Sequence, residues 1–158
     1  MSSLLFAWAG PTPLAAELRK PIKQISVEFV IPNSGPRFVT LWRPDETGLR
    51  LFTEMHDVAE RREVGVLHFE QVFALGPSEV ITDLPSVFQG ENVVFKLVIH
   101  ESGTSAESGV VIKASNGDEI VTVAGVYPYS LAVRGALSIA HIFEPEYELD
   151  DYMRVPVT

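Results

Sequence analysis

Residues 110–126 read VVIKASNGDEIVTVAGV, two β-branched runs on either side of Asn116-Gly117. Both residues of that pair tolerate the positive φ of a two-residue type I′ turn, so the stretch reads as a β-hairpin with Ser115 opposite Asp118. It is the most specific local signal in the chain, and the fold reading is built outward from it.

Just upstream, VVFKLVI (93–99) is strongly β-branched and reads as a central strand, in which Lys96 needs an exit or an acidic partner. The polar stretch ESGTSAESG (101–109) reads as a mobile loop. Downstream, YPYSLAVRG (127–135) and LSIAHIF (137–143) read as two more strands, broken near Pro128 and Gly135.

The first half of the chain carries the same period-two signal. In KQISVEFVI (23–31), Ile25, Val27, Phe29 and Ile31 alternate with Gln24, Ser26, Glu28 and Val30. FVTLWR (38–43) and LRLFTE (49–54) flank PDETG and predict a hairpin with a longer loop. EMHDVAERREV (54–64) is the best helical candidate there, with a short turn as the alternative, and VGVLHFEQVF (64–73) follows as a strand. GPSEVITDLPSVFQGEN (76–92) reads as a loop carrying a short strand at 80–81. The first 20 residues predict a peripheral strand and a helical turn over 14–20, with Pro13 near its start.

About eight short strands with at most one or two short helices predict an all-β fold, an antiparallel β-sandwich or barrel. A single domain is expected over 1–158, with core strands at roughly 22–143, a peripheral N-terminal segment at 1–20 and an acidic C-terminal arm at 144–158.

Composition bounds the function. With 21 acids against 12 bases the formal net charge is −9, which argues against nucleic acid and against an anionic membrane surface. The absence of cysteine excludes disulfide scaffolds, thiolate metal sites and thiol catalysis. Leu4–Ala9 is apolar but lacks a basic flank and meets Pro11 and Pro13, and no apolar run approaches the ~18 residues of a membrane helix. A cytoplasmic location is therefore expected. A hydrophobic fraction of 46% and a mean hydropathy of +0.17 favour a homo-oligomer, with either terminus available to pack on a second copy.

No linear catalytic signature is present: G-x-S-x-G, H-E-x-x-H and the glycine-rich phosphate loops are all missing. The candidate ligand-binding residues are His68 and Glu70, which strand alternation puts on one face, and the loop-proximal aromatics Trp42, Tyr127 and Tyr129. Leu67, Phe69 and Phe73 form the natural core face, so His68 and Glu70 face water in a sandwich and the lumen in a barrel. His68, Glu70 and His141 are the alternative as metal ligands; otherwise no metal or cofactor is implied. Glu144, Glu146, Glu148 and Asp150 recur at period two and read as a charged edge strand or arm.

Three functional readings result. The leading one is a non-enzymatic soluble β module that self-associates or binds a protein or small-molecule partner. The others are a small β-barrel metal-binding protein or enzyme using His68 and Glu70, and a structural component of a phage or secretion assembly.

Overall fold

The computed structural model describes residues 2–30, 35–60, 62–135 and 143–157. In chain order the elements are β1 (Ser2–Leu4), α1 (Leu14–Arg19), β2 (Gln24–Glu28), β3 (Phe38–Trp42), β4 (Gly48–Ala59), β5 (Arg62–Val72) and β6 (Val80–Asp83). After a 3-10 turn at Ser86–Gln89 come β7 (Val93–Glu101), β8 (Thr104–Lys113), β9 (Glu119–Ala124) and β10 (Leu131–Arg134). A second 3-10 turn at Leu149–Asp151 leads to β11 (Met153–Pro156).

Two sheets face each other in a sandwich. A five-stranded sheet runs β5-β4-β3-β2-β6, and a six-stranded sheet runs β10-β9-β8-β7-β11 with β1 pairing parallel to β8. The all-β expectation holds, as a sandwich with a single α-helix among the described residues.

Alternation builds the core. Ile25, Val27, Val39, Leu41, Leu49, Leu51, Leu67 and Phe69 project from the five-stranded sheet onto Val94, Val110, Ile112, Ile120, Leu131 and Val133 of the other. Leu18 of α1 and Phe88 of the first 3-10 turn join this cluster. The six-stranded sheet is buried on its second face too. There Leu97, Ile99, Val111, Val121, Val123 and Ala132 meet Tyr152, with Phe143, Tyr147 and Leu149 packed against them. Burial on both faces explains why VVI and IVTV read as continuous apolar runs, whereas QISVE alternates.

Local readings changed in three places. The segment 54–64 is not helical: it forms the turn-proximal end of the β4–β5 ladder, which is in register from Gly48↔Val72 to Asp57↔Glu63 and shifts before Ala59↔Arg62. Its few apolar positions never offered a helical stripe.

The type I′ turn lies elsewhere. Only Gly117 of the Asn116-Gly117 pair has positive φ, at 94°, and Ala114 N–H donates to Asp118 at 2.8 Å. The loop is therefore three residues long and Ala114, not Ser115, faces Asp118. Asn116 stabilises it by accepting the Asp118 N–H at 3.0 Å. The two-residue turn is Ser102-Gly103, with φ of 52° and 76°, joining Glu101 to Thr104. What read as a mobile loop is this turn plus the first half of β8. That half is polar because its hydroxyls are used: Thr104 and Ser2 share a hydrogen bond of 2.8 Å, and Ser105 donates to Ser3 at 3.2 Å.

The third change concerns Ser108, the extra residue of a bulge where Leu97↔Gly109 gives way to Val98↔Glu107. Its hydroxyl donates to the Gly65 carbonyl at 2.5 Å, which ties β8 to β5 across the sandwich.

Both chain ends are built into the sheets. Ala7 bridges to His68, taking the Leu67 carbonyl at 3.2 Å and accepting the Phe69 N–H at 2.8 Å. Phe6 stacks edge-on against Phe69 at 5.0 Å. The LLFAW stretch is thus used within its own chain. β11 pairs with β7, and Arg154 grips Glu119 of β9 in a fork of 2.8 and 3.2 Å. Glu146 packs over Gly65 and accepts its N–H at 3.2 Å. Burial holds the Glu146 carboxyl above its ordinary range, against the pull of that N–H and of Arg62. Glu146→Gln keeps an acceptor and removes the charge, so it should raise the melting temperature at neutral pH; thermal denaturation near pH 7 and about pH 4 measures this, and the gain should shrink at the lower pH. No helix among the described residues is long and apolar enough to cross a membrane.

Candidate functional site: the outer face of the five-stranded sheet

With the inner positions assigned, alternation fixes what points the other way. Phe38, Thr40 and Trp42 of β3, Arg50, Phe52, Glu54 and His56 of β4, and His68 and Glu70 of β5 share the outer face. Phe52 sits directly opposite His68, and Arg50 opposite Glu70.

These side chains form one stripe. Phe38 and Phe52 meet edge-on at 6.1 Å, Phe52 and His68 at 5.4 Å, and His68 stacks on His56 at 6.3 Å with planes 19° apart. The Arg50 guanidinium lies 5.0 Å from the centre of the Phe38 ring and pairs with Glu70 at 3.2 Å. Its Nε is buried and has no hydrogen-bond partner among the described residues. Arg37 lies 5.6 Å from the Phe38 ring and 5.0 Å from the Tyr129 ring, carrying the stripe on to the Tyr127–Ser130 turn.

His68 and Glu70 are therefore on one outward face, as the alternation implied, and belong to different contacts. His68 is half-buried between two rings; burial lowers its pKa, the Glu54 carboxylate opposes this, and His56 adds to it. It is a neutral, flat ring near pH 7. Glu70 is exposed and held by Arg50. His141 lies outside the described residues. No group of three or more His, Asp or Glu side chains able to hold a metal ion occurs among the described residues.

Trp42 is on the same face but covered. Its Nε1 donates to Ser26 at 2.8 Å, and Ser26 in turn donates to Glu79 at 2.9 Å. Glu79 also accepts from Thr40 and from the Gly76 N–H, which brings the β5–β6 connection over this end of the sheet. Trp42 then walls an open groove of about 250 Å³ with Arg43, Phe73, Leu75 and Ile81. Phe73 was expected on the core face; β5 ends at Val72, the alternation stops there, and Phe73 is 72% exposed. Tyr127 and Tyr129 are both exposed at the surface.

A second concavity of about 420 Å³ lies between the N-terminal segment, α1 and β11, lined by Phe6, Trp8, Leu14, Leu18 and Val157. At its floor the buried Glu107 accepts from Lys96 at 2.5 Å and from the Phe6 N–H at 2.7 Å, so Lys96 finds the partner its position in a central strand demanded. Among the serines near His100, Ser105 donates to Ser3 and Ser108 to Gly65, leaving neither on an imidazole.

Arg37, Phe38, Arg50 and Phe52 escaped the sequence reading. FVTLW and LRLF in antiparallel register put Phe38, Arg50 and Phe52 on one face. No protein-family model, curated protein or solved structure matches the chain.

Proposed function

We propose that the protein is a non-enzymatic module that works by binding a protein or small-molecule partner, with the outer face of the five-stranded sheet as its recognition surface. The Phe38–Phe52–His68–His56 stripe carries this reading. The corresponding face of the six-stranded sheet is covered by the chain's own Tyr147, Leu149 and Tyr152. On the outer face of the five-stranded sheet, Ser26, Thr40 and Trp42 are buried beneath the β5–β6 connection, and Val64 and Val66 are buried in the second core cluster. The rings of Phe38, Phe52, His56 and His68 between them are half-buried, and partly exposed apolar surface of that kind marks sites of interaction. On this face Glu70 is held by Arg50, and elsewhere the buried Glu107 and Glu17 pair with Lys96 and Arg43.

A fragment library screened by ligand-observed NMR tests this. Phe52→Ser should weaken the hits about tenfold or more, since a buried ring contact is worth roughly 1.5–3 kcal/mol. Leu14→Ser, in the groove beside α1, should leave them unchanged. The reverse pattern would overturn the proposal. Self-association is the second reading, favoured by the sheet-edge strand β6 with Val80 and Ile81 exposed; light scattering of the wild type and Ile81→Lys decides it by whether mass falls.

A further inference from the structure

Six of the 12 basic residues of this acidic chain are matched by a carboxylate among the described residues. Lys20, Arg43, Arg50, Arg62, Lys96 and Arg154 each have a carboxylate within 4.0 Å, at distances of 2.5 to 3.6 Å. Arg37 has none among the described residues. Its backbone N–H donates to the Glu28 carbonyl at 2.8 Å, and among the described residues its guanidinium meets the Phe38 and Tyr129 rings. Arg19, Lys23, Lys113 and Arg134 also lack such a carboxylate among the described residues, but Arg37 lies over two aromatic rings, where Arg134 meets Phe143 alone.

The arrangement is held in place from both sides. Arg37 and Phe38 follow Pro36, whose carbonyl accepts the Leu131 N–H at 2.8 Å and so docks the 127–130 turn beside them. Ser130 closes that turn by donating its N–H and its hydroxyl to the Tyr127 carbonyl, at 3.1 and 2.6 Å. Tyr129 is left at φ +64°, a left-handed conformation that glycine or asparagine adopts far more cheaply. A tyrosine kept in that conformation, 41% exposed and facing an arginine, stores backbone strain where a ring is presented to solvent.

Resting on the recognition surface proposed above, we infer that Arg37, with the rings of Phe38 and Tyr129, is the docking point for a small aromatic carboxylate. A guanidinium stacked on aromatic rings keeps its in-plane N–H donors free for the two oxygens of a carboxylate. The flanking rings and the Phe52–His68 stripe beyond them offer flat apolar surface to the body of such a ligand. A single free guanidinium matches one negative charge. Glu70 is close by on Arg50, and the net charge of −9 disfavours a dianion such as a phosphate monoester.

The test is a two-dimensional NMR titration of the intact protein with three probes: naphthoate, naphthylmethylammonium and acetate. Naphthoate should shift the amides of Arg37, Phe38, Arg50 and Tyr129, and bind about tenfold or more tighter than either other probe. Arg37→Gln should remove most of that preference, and Arg37→Lys should restore only part of it, because a lysine keeps the charge without the fork. Tyr129→Gly should weaken naphthoate several-fold while the melting temperature holds or rises, since glycine suits the positive φ. Equal binding of naphthoate and the ammonium probe on this face would overturn the carboxylate inference and leave the recognition surface standing. Equal binding of acetate would overturn the aromatic part. Shifts confined to other regions would overturn both the inference and the surface.

Discussion

Arg43→Ala should destabilise the protein by about 3–5 kcal/mol, the range expected when one partner of a buried ion pair is removed. Arg43 and Glu17 are each only 5% exposed, and their charged groups meet at 2.5 Å. The same guanidinium donates to the Glu17 carbonyl at 3.2 Å and reaches Thr47 at 3.4 Å, so it joins α1 to the end of β3 and its turn. Removing it leaves a buried carboxylate whose other partners are the Thr12 hydroxyl and Lys20 at 2.9 Å. Replacing both residues, as in Glu17→Leu with Arg43→Met, should recover most of the loss, because the cost lies in the orphaned charge. Urea denaturation of the two variants measures the difference; equal losses would contradict it.

The same pair gives stability a pH dependence. Burial pushes the Glu17 carboxyl up, but Thr12, Lys20 and Arg43 together hold it below its ordinary value of 4.5. A carboxyl depressed in the folded state contributes its full stabilisation above the unfolded pKa and loses it as pH falls through the folded one. Stability should therefore fall as the pH drops below the ordinary value of 4.5, and Glu17→Gln should flatten that slope.

Gly65→Val should cost about 3 kcal/mol, near the upper end for overpacking a tight contact. A β-carbon at position 65 would lie 2.6 Å from the β-carbon of Ala124, which is itself 1% exposed. The backbone of Gly65 is engaged on both sides, by the Ser108 hydroxyl and by the Glu146 carboxylate, so it has little room to withdraw. Its φ is not positive, which leaves steric contact as the cause. The obstacle is one methyl group, so Gly65→Ala paired with Ala124→Gly should be more stable than Gly65→Ala alone. Calorimetric melting of the set checks the claim that β5 touches β9 at this point; an unchanged melting temperature for Gly65→Val would contradict it.

What was legible in the sequence follows the physics of alternation. Ile25, Val27, Val39, Leu41, Leu49 and Leu51 each lie on the core face, in alternation with the partly exposed Gln24, Glu28, Phe38, Arg50 and Phe52. Val110–Ile112 and Ile120–Val123 gave strands but not faces, because both of their sides are buried and period two vanishes. The turns were harder. Asn116-Gly117 and Ser102-Gly103 differ by one residue of loop length, which tertiary contacts of the flanking strands decide. The candidate site was half legible. His68 and Glu70 were placed on the right face by parity alone, but their neighbours come from β3 and β4, and register across three strands is not written in any one of them. Tyr129 was noticed as a loop aromatic, while its contact with Arg37 depends on Pro36 holding the 127–130 turn.

The central claim is that the outer face of the five-stranded sheet is where the protein binds. The most direct measurement is an amide chemical-shift map of the labelled protein against the fragments that bind it. The account expects perturbations concentrated at Phe38, Arg50, Phe52, His56 and His68, with Leu14, Leu18 and Val157 unmoved. Perturbations centred on Leu14, Leu18 and Val157, with the outer face silent, would contradict it.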